Sequence, residues 1–179
     1  MAEAFLIRKW VMKRIEHGVE IKQALMPEEK AFISECMGKP DFKAFIDKHT
    51  GADLQDTYLF YYGEERLGVF WPQISDSTGV CIAIPSIYMK RRMSRFTVVC
   101  IGKMLADLFT SFKVEKVLVP IYSNNKAVIN MMKNYNVFLE GVFRHGLMVE
   151  GEPVDVCYYS ILRDELESMK VTYKEIYGN

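Results

Sequence analysis

The chain has 179 residues, of which 50% are hydrophobic, 13% aromatic and 26% charged. That is enough for one domain with one sizeable core, and it excludes disorder, collagen-like repeats and coiled coil. Lys plus Arg number 23 and Asp plus Glu number 23, so bulk charge does not draw the chain to nucleic acid or anionic lipid. No apolar run approaches the roughly 18 residues of a membrane helix. Met1 to Trp10 carries charges too early, and an apolar stretch too short, for a signal peptide. A cytoplasmic location, or the inside of a virus particle, is expected.

The first fifty residues read as helical. Met26-Pro27-Glu28-Glu29 is a helix entry, with proline where its missing N–H is harmless and acids at the positive end of the dipole. Phe32, Ile33, Cys36 and Met37 follow at helical spacing, and Phe42, Phe45 and Ile46 continue the apolar face beyond Gly38 and Pro40. A strand pair comes next: Thr57 to Tyr62, a turn at Gly63-Glu64-Glu65-Arg66, and a return over Leu67 to Trp71. Half of the rings in this hairpin are expected to face the core. Gly79 to Ile84 reads as a third strand, apolar enough to be covered on both faces.

From Ser94 to Phe112 the pattern is helical, with Val98, Ile101, Leu105, Leu108 and Phe112 in one stripe and Ser94 as N-cap. Val114 to Ile121 is a strand and Asn124 to Tyr135 a helix. Val137 to Arg144, Leu147 to Val149 and Val154 to Leu162 are strands, with turns at Gly146 and at Glu150-Gly151, and Asp164 opens a C-terminal helix. The order predicts a single α/β (α+β) sandwich domain over 1–179. Its parts are a helical 1–50, a sheet core with two helices over 57–163, and a terminal helix over 164–179.

Four cysteines, Cys36, Cys81, Cys100 and Cys157, lie among apolar neighbours at wide spacing, and His17, His49 and His145 are equally dispersed. This pattern predicts buried free thiols and no metal site.

Val117 to Arg144 resembles the C-terminal half of the GCN5-related N-acetyltransferase (GNAT) superfamily. The family shows a strand ending near an Asn, a helix, a Gly-Phe pair, then Glu-Gly and often Arg. Asn125 falls at the family Asn, Asn136 at the Gly, Val137 at the Phe, and Glu140, Gly141 and Arg144 match directly. Gly151, Asp155, Tyr159 and Leu162 are similar to the amino-acyl-acetylating branch. Asn is the residue after Gly that best tolerates the left-handed backbone expected at position 136.

The resemblance implies a mixed, mostly antiparallel sheet with a splayed parallel strand pair, helices on both faces, and acetyl-CoA as cofactor. An ungapped count places the pyrophosphate loop at Arg92-Met93-Ser94-Arg95-Phe96-Thr97. Main-chain amides at a helix N-terminus would hold the anion there. By the same resemblance Arg92, Ser94, Arg95, Phe96 and Thr97 would contact the pyrophosphate. Val119 and Ile121 would line the pantetheine arm, and Asn125 its thiol end. The loop departs from the family, because Arg95 and Thr97 stand at its small positions and no glycine occurs from Ile84 to Cys100. The family's proton-donating Tyr is replaced by Met132, with Tyr135 one turn on as the candidate, and the strand Gly79 to Ile84 carries no carboxylate for a general base.

Lys90, Arg91, Arg92, Arg95 and Lys103 form a basic run. It reads as a solvated face, as replacement contacts to CoA phosphates, or as a patch for an acidic partner, nucleic acid included. The expected function is an acetyltransferase-like protein that has lost catalysis. It would serve as a structural or binding subunit of a larger assembly, such as a phage virion, with a protein partner or a homo-oligomer. The alternative is an active N-acetyltransferase acting on a primary amine of a small molecule or protein.

Overall fold

In the computed structural model the described residues are 18–38, 57–76, 79–90, 95–149 and 151–166. They form seven strands and three helices. In chain order these are β1 (Val19–Gln23), α1 (Pro27–Met37), β2 (Tyr58–Tyr62), β3 (Glu65–Ser75), β4 (Ile82–Met89), α2 (Arg95–Thr110), β5 (Lys116–Tyr122), α3 (Lys126–Asn134), β6 (Phe138–Val149) and β7 (Glu152–Leu162). One sheet holds them in the order β1-β2-β3-β4-β5-β7-β6. Every neighbouring pair is antiparallel except β4–β5, which is parallel. The α/β architecture with one parallel pair is the expected one.

Alternation along β2 and β3 sends side chains to both faces, and both are covered. Phe60 and Phe70 join Val99, Cys100, Met104, Leu108 and Phe109 of α2. Leu59, Tyr61, Val69 and Trp71 meet Phe32, Ile33 and Cys36 of α1 on the opposite face. All the hairpin's large rings except Tyr58 and Tyr62 are therefore buried, more than the half expected for a one-sided sheet. Glu29 fastens α1 in place. Its carboxylate accepts from the Leu25 and Met26 amides and, at 2.7 Å, from the Tyr61 hydroxyl. The Met26 amide first, and Tyr61 next, hold this carboxyl below the usual carboxylate range.

Several boundaries differ from expectation. Val19–Gln23 is a strand inside the stretch read as helical, since it pairs with all five residues of β2. Phe42, Phe45 and Ile46 lie outside the described residues, as do Ser94 and the C-terminal residues beyond Leu166. The strand expected to stop at Ile84 runs through Pro85 to Met89. The two strands expected over Val137 to Arg144 and Leu147 to Val149 are one, and Gly146 lies at a register shift between Phe143 and Leu147 instead of a turn. Here the Asp155 carboxylate accepts from the His145 amide at 2.8 Å, replacing a ladder bond. The buried centre of α2 is Cys100, Met104 and Leu108, with Val98 and Ile101 at its side. Cys36 and Cys100 are buried and Cys81 and Cys157 half-buried, all as free thiols.

Asn136 takes the expected left-handed conformation, φ 54°. Its amide donates to Lys133 and that of Val137 to Met132, the paired bonds that end a helix in a Schellman motif. A β-branched side chain is strained in this region by about 1–2 kcal/mol. Asn136→Val is therefore expected to lower stability by about that amount, and Asn136→Gly to leave it nearly unchanged, in urea unfolding.

Candidate functional site

The parallel pairing of β4 and β5 covers only Ile82↔Lys116 and Ala83↔Val117. Beyond it each strand keeps its other neighbour: β4 stays paired to β3 as far as Met89, and β5 to β7 as far as Tyr122. The sheet therefore opens into a wedge between two strands that are each held from behind.

Backbone direction explains where the ladder stops. The Lys90 amide donates to Leu67 at 2.8 Å, so even-numbered residues of β4 address β3 and odd-numbered ones address β5. The Arg163 amide donates to Glu115, and that of Ser123 to Asp155. Odd-numbered residues of β5 thus address β7 and even-numbered ones address β4. The next donors in the β4–β5 ladder would be the amides of residues 85 and 120. Both are proline and have no N–H. Two successive rungs are absent by sequence, and past them the Ile87 and Met89 main-chain groups of β4 face the gap.

Two helices begin at the wide end of the wedge. Arg95 opens α2 six positions after the last residue of β4, and Asn125 caps α3 three positions after the last residue of β5. The Asn125 side chain accepts from the Val128 amide at 3.4 Å. Both helix dipoles thus turn their positive ends towards one opening, an arrangement that favours an anion.

Of the residues expected to bind cofactor, Arg92 and Ser94 lie outside the described residues, and Arg95 is described only as the first residue of α2. Phe96 packs edge-on against Tyr62, with ring centroids 5.0 Å apart. Thr97 is buried. Val119 and Ile121 turn towards α2 and α3, Ile121 into the cluster of Ile129, Met131, Met132 and Tyr159. They line the helix-side wall of β5. Tyr135 packs against the same cluster.

In the basic run Lys90 is exposed and Arg91 is outside the described residues. Lys103 is turned elsewhere: its ammonium donates to the Val19 carbonyl at 2.6 Å. It helps to line a separate shallow cavity of about 410 Å³ between α2 and β1. In that cavity burial raises the Asp107 carboxyl, partly offset by Lys103.

The longer β4 still carries no carboxylate; it adds Ser86, 3% exposed, and Tyr88, which packs on the α1 cluster. Burial pushes the Cys100 thiol up to about 12, so it is no nucleophile at neutral pH. Glu140, matched to the family's Glu, holds strands together. Its Oε1 accepts from Lys116 of β5 and, at 2.7 Å, from Ser160 of β7, and Lys116 first and Ser160 next lower its pKa. Among the described residues no group of three His, Cys, Asp or Glu is placed for a metal, and no helix is long and apolar enough to cross a membrane.

The residues that the sequence left unmarked are Pro85 and Pro120. A proline inside each of two β-rich runs was the available signal, because a central strand tolerates proline only where its N–H has no partner to meet.

Solved structures share this architecture. Spermidine N-acetyltransferase from Vibrio cholerae, in complex with CoA and spermine, superposes with a TM-score of 0.69 at 13% identity, over 84% of this chain and 99% of that one. A probable acetyltransferase gives 0.66 at 15% identity, over 84% and 96%. A GNAT-family acetyltransferase from Streptococcus pneumoniae gives 0.60 at 14%, over 80% and 99%. The chain has the GNAT fold. No protein-family model matches the sequence, and no curated protein matches it significantly.

Proposed function

We propose that the chain binds acetyl-CoA in the β4–β5 wedge and transfers the acetyl group to a primary amine. The observation that carries this reading is the wedge, two prolines wide on its facing edges and open towards two helix N-termini. It fits the cofactor's chemistry: an extended amide-bearing arm can use the main-chain groups of Ile87 and Met89, and a pyrophosphate can meet the first turn of α2. Arg92, Ser94, Arg95, Phe96 and Thr97 are the residues assigned to the pyrophosphate. Val119 and Ile121 wall the arm, and Asn125, with its Oδ1 engaged in capping α3, retains its amide N–H donors for the thiol end. When bound, the cofactor supplies an acyl group activated by a thiolate leaving group.

The protein's own residues position the amine and exclude water. With no carboxylate on β4, an acceptor that arrives unprotonated is favoured. Tyr135 is assigned the proton for the departing thiolate. That similar structures are those of acetyltransferases, one in complex with CoA, supports this reading. Loss of catalysis and a virion role gain no support from the fold. The test is release of free CoA thiol from acetyl-CoA over a panel of primary amines. Turnover with at least one amine, lowered about tenfold or more in Tyr135→Phe, is expected from the loss of a general acid. No release above the hydrolysis blank with any amine would return the chain to the inert-subunit reading.

A further inference from the structure

The cavity between α2 and β1 is lined by Val19, Glu20 and Ile21 of the strand and by Lys103, Ala106 and Asp107 of the helix. Its volume of about 410 Å³ falls within the roughly 300–1,000 Å³ of small-molecule sites. It stands apart from the wedge. Lys103 and Asp107 follow Arg95 by eight and twelve residues, which places them about 12 and 18 Å along the helix from the wedge's mouth.

Lys103 and Asp107 are one turn apart, a spacing at which opposite charges commonly pair along a helix. Here they do not. The Lys103 ammonium is drawn across to the Val19 carbonyl, 2.6 Å away. The Asp107 carboxyl makes no hydrogen bond or ion pair among the described residues. Burial raises its pKa, partly offset by Lys103, as expected of a carboxyl withdrawn from water without a partner. Glu20 is already paired with Lys22 at 2.7 Å. The cavity thus holds an ammonium with two of its three N–H donors unused and a carboxyl without a donor, beside the apolar Val19, Ile21 and Ala106.

The edge of β1 narrows the choice of occupant. The Ala24 amide donates to Thr57, so even-numbered residues of β1 address β2 and odd-numbered ones turn their main-chain groups outwards. A strand added at this edge would need the Val19 carbonyl, which Lys103 already holds. The cavity therefore suits a small molecule better than an extended peptide.

We propose that this cavity binds a free α-amino acid with an apolar side chain. Its ammonium meets Asp107, its carboxylate meets Lys103, and its side chain lies against Val19, Ile21 and Ala106. A simple amine would leave the Lys103 donors unanswered, and a simple carboxylate would leave Asp107 so. The zwitterion satisfies both. The site uses no residue assigned to acetyl-CoA and does not depend on what the wedge binds.

Isothermal titration of L-leucine, L-methionine and L-phenylalanine into the full chain, without acetyl-CoA, tests the site. N-acetyl-L-leucine and L-leucinamide, each lacking one charged end, probe the same two contacts without altering the chain. At least one of the three amino acids is expected to bind with a dissociation constant below about 1 mM. Each control ligand should bind about tenfold more weakly or worse, from the loss of a charge-assisted hydrogen bond. Asp107→Asn should weaken the amino acid to a similar degree with unchanged circular dichroism. No heat from any of the three at about 10 mM, or equal binding by Asp107→Asn or by either control ligand, overturns the proposal. Either outcome leaves the acetyl-CoA reading untouched, because no cofactor is present in the titration.

Discussion

The double substitution Pro85→Ala, Pro120→Val is expected to close the wedge and to cost at least tenfold in acetyl-CoA affinity. Each replacement restores an N–H at a point where the opposite strand presents a carbonyl, that of Leu118 for residue 85 and that of residue 85 for residue 120. The rest of β4 and β5 is already held at sheet spacing by β3 and β7. Two regained ladder bonds add about 0.5–1.5 kcal/mol each. Loss of proline's restriction of the unfolded chain takes back about 0.4–1 kcal/mol per site. Stability should therefore rise by about half a kcal/mol while binding falls. Slowed hydrogen exchange at residues 85 and 120, read beside a calorimetric titration, checks both halves. Exchange that stays fast at both amides would mean that something other than the prolines holds the strands apart.

Phe70→Ala is expected to be the most destabilising single change in the sheet. Phe70 is fully buried, stacked at 5.2 Å on Tyr58 and at 5.1 Å on Phe60, and its β4 partner is Ile87. Removing the ring leaves a cavity between sheet and α2, worth about 3–5 kcal/mol. For a chain of this size that lowers the melting temperature by roughly 6–20 °C. Phe70→Leu should cost much less. A calorimetric scan distinguishes them, and equal losses would show that the site collapses freely instead of holding a void. Because Ile87 borders the wedge, Phe70→Ala should also weaken cofactor binding in the fraction that stays folded.

Elements with a strong local signal were legible in the sequence. The proline and paired acids at Pro27-Glu28-Glu29, the alternating rings from Tyr58 to Trp71 and the apolar spacing of α2 each fixed an element to within a few residues. Errors came where long-range pairing overruled local pattern. Val19–Gln23 alternates apolar and polar residues, but over so short a run that the helical reading of the first fifty residues passed over it, and pairing with β2 makes it a strand. Gly146 looked like a turn because a glycine between two apolar runs usually is one, but the Asp155 carboxylate satisfies the backbone there and the strand continues.

The candidate site was half legible. Asn125, Asn136 and Glu140 were marked by the family resemblance, yet the structure gives the last two architectural work: Asn136 ends α3 and Glu140 clasps β5, β6 and β7. The wedge itself depends on Pro85 and Pro120, which lie 35 positions apart in the chain. Each reads locally as a strand breaker, and only the sheet order shows that they face one another across a gap.

Isothermal titration of acetyl-CoA into the full chain, with CoA alongside and at two salt concentrations, tests the central claim most directly. Micromolar binding that persists at moderate salt, and that weakens at least tenfold in the Pro85→Ala, Pro120→Val chain, is the predicted result. No heat at millimolar acetyl-CoA would contradict it, and the open wedge would then be a relic of the fold without a ligand to fill it.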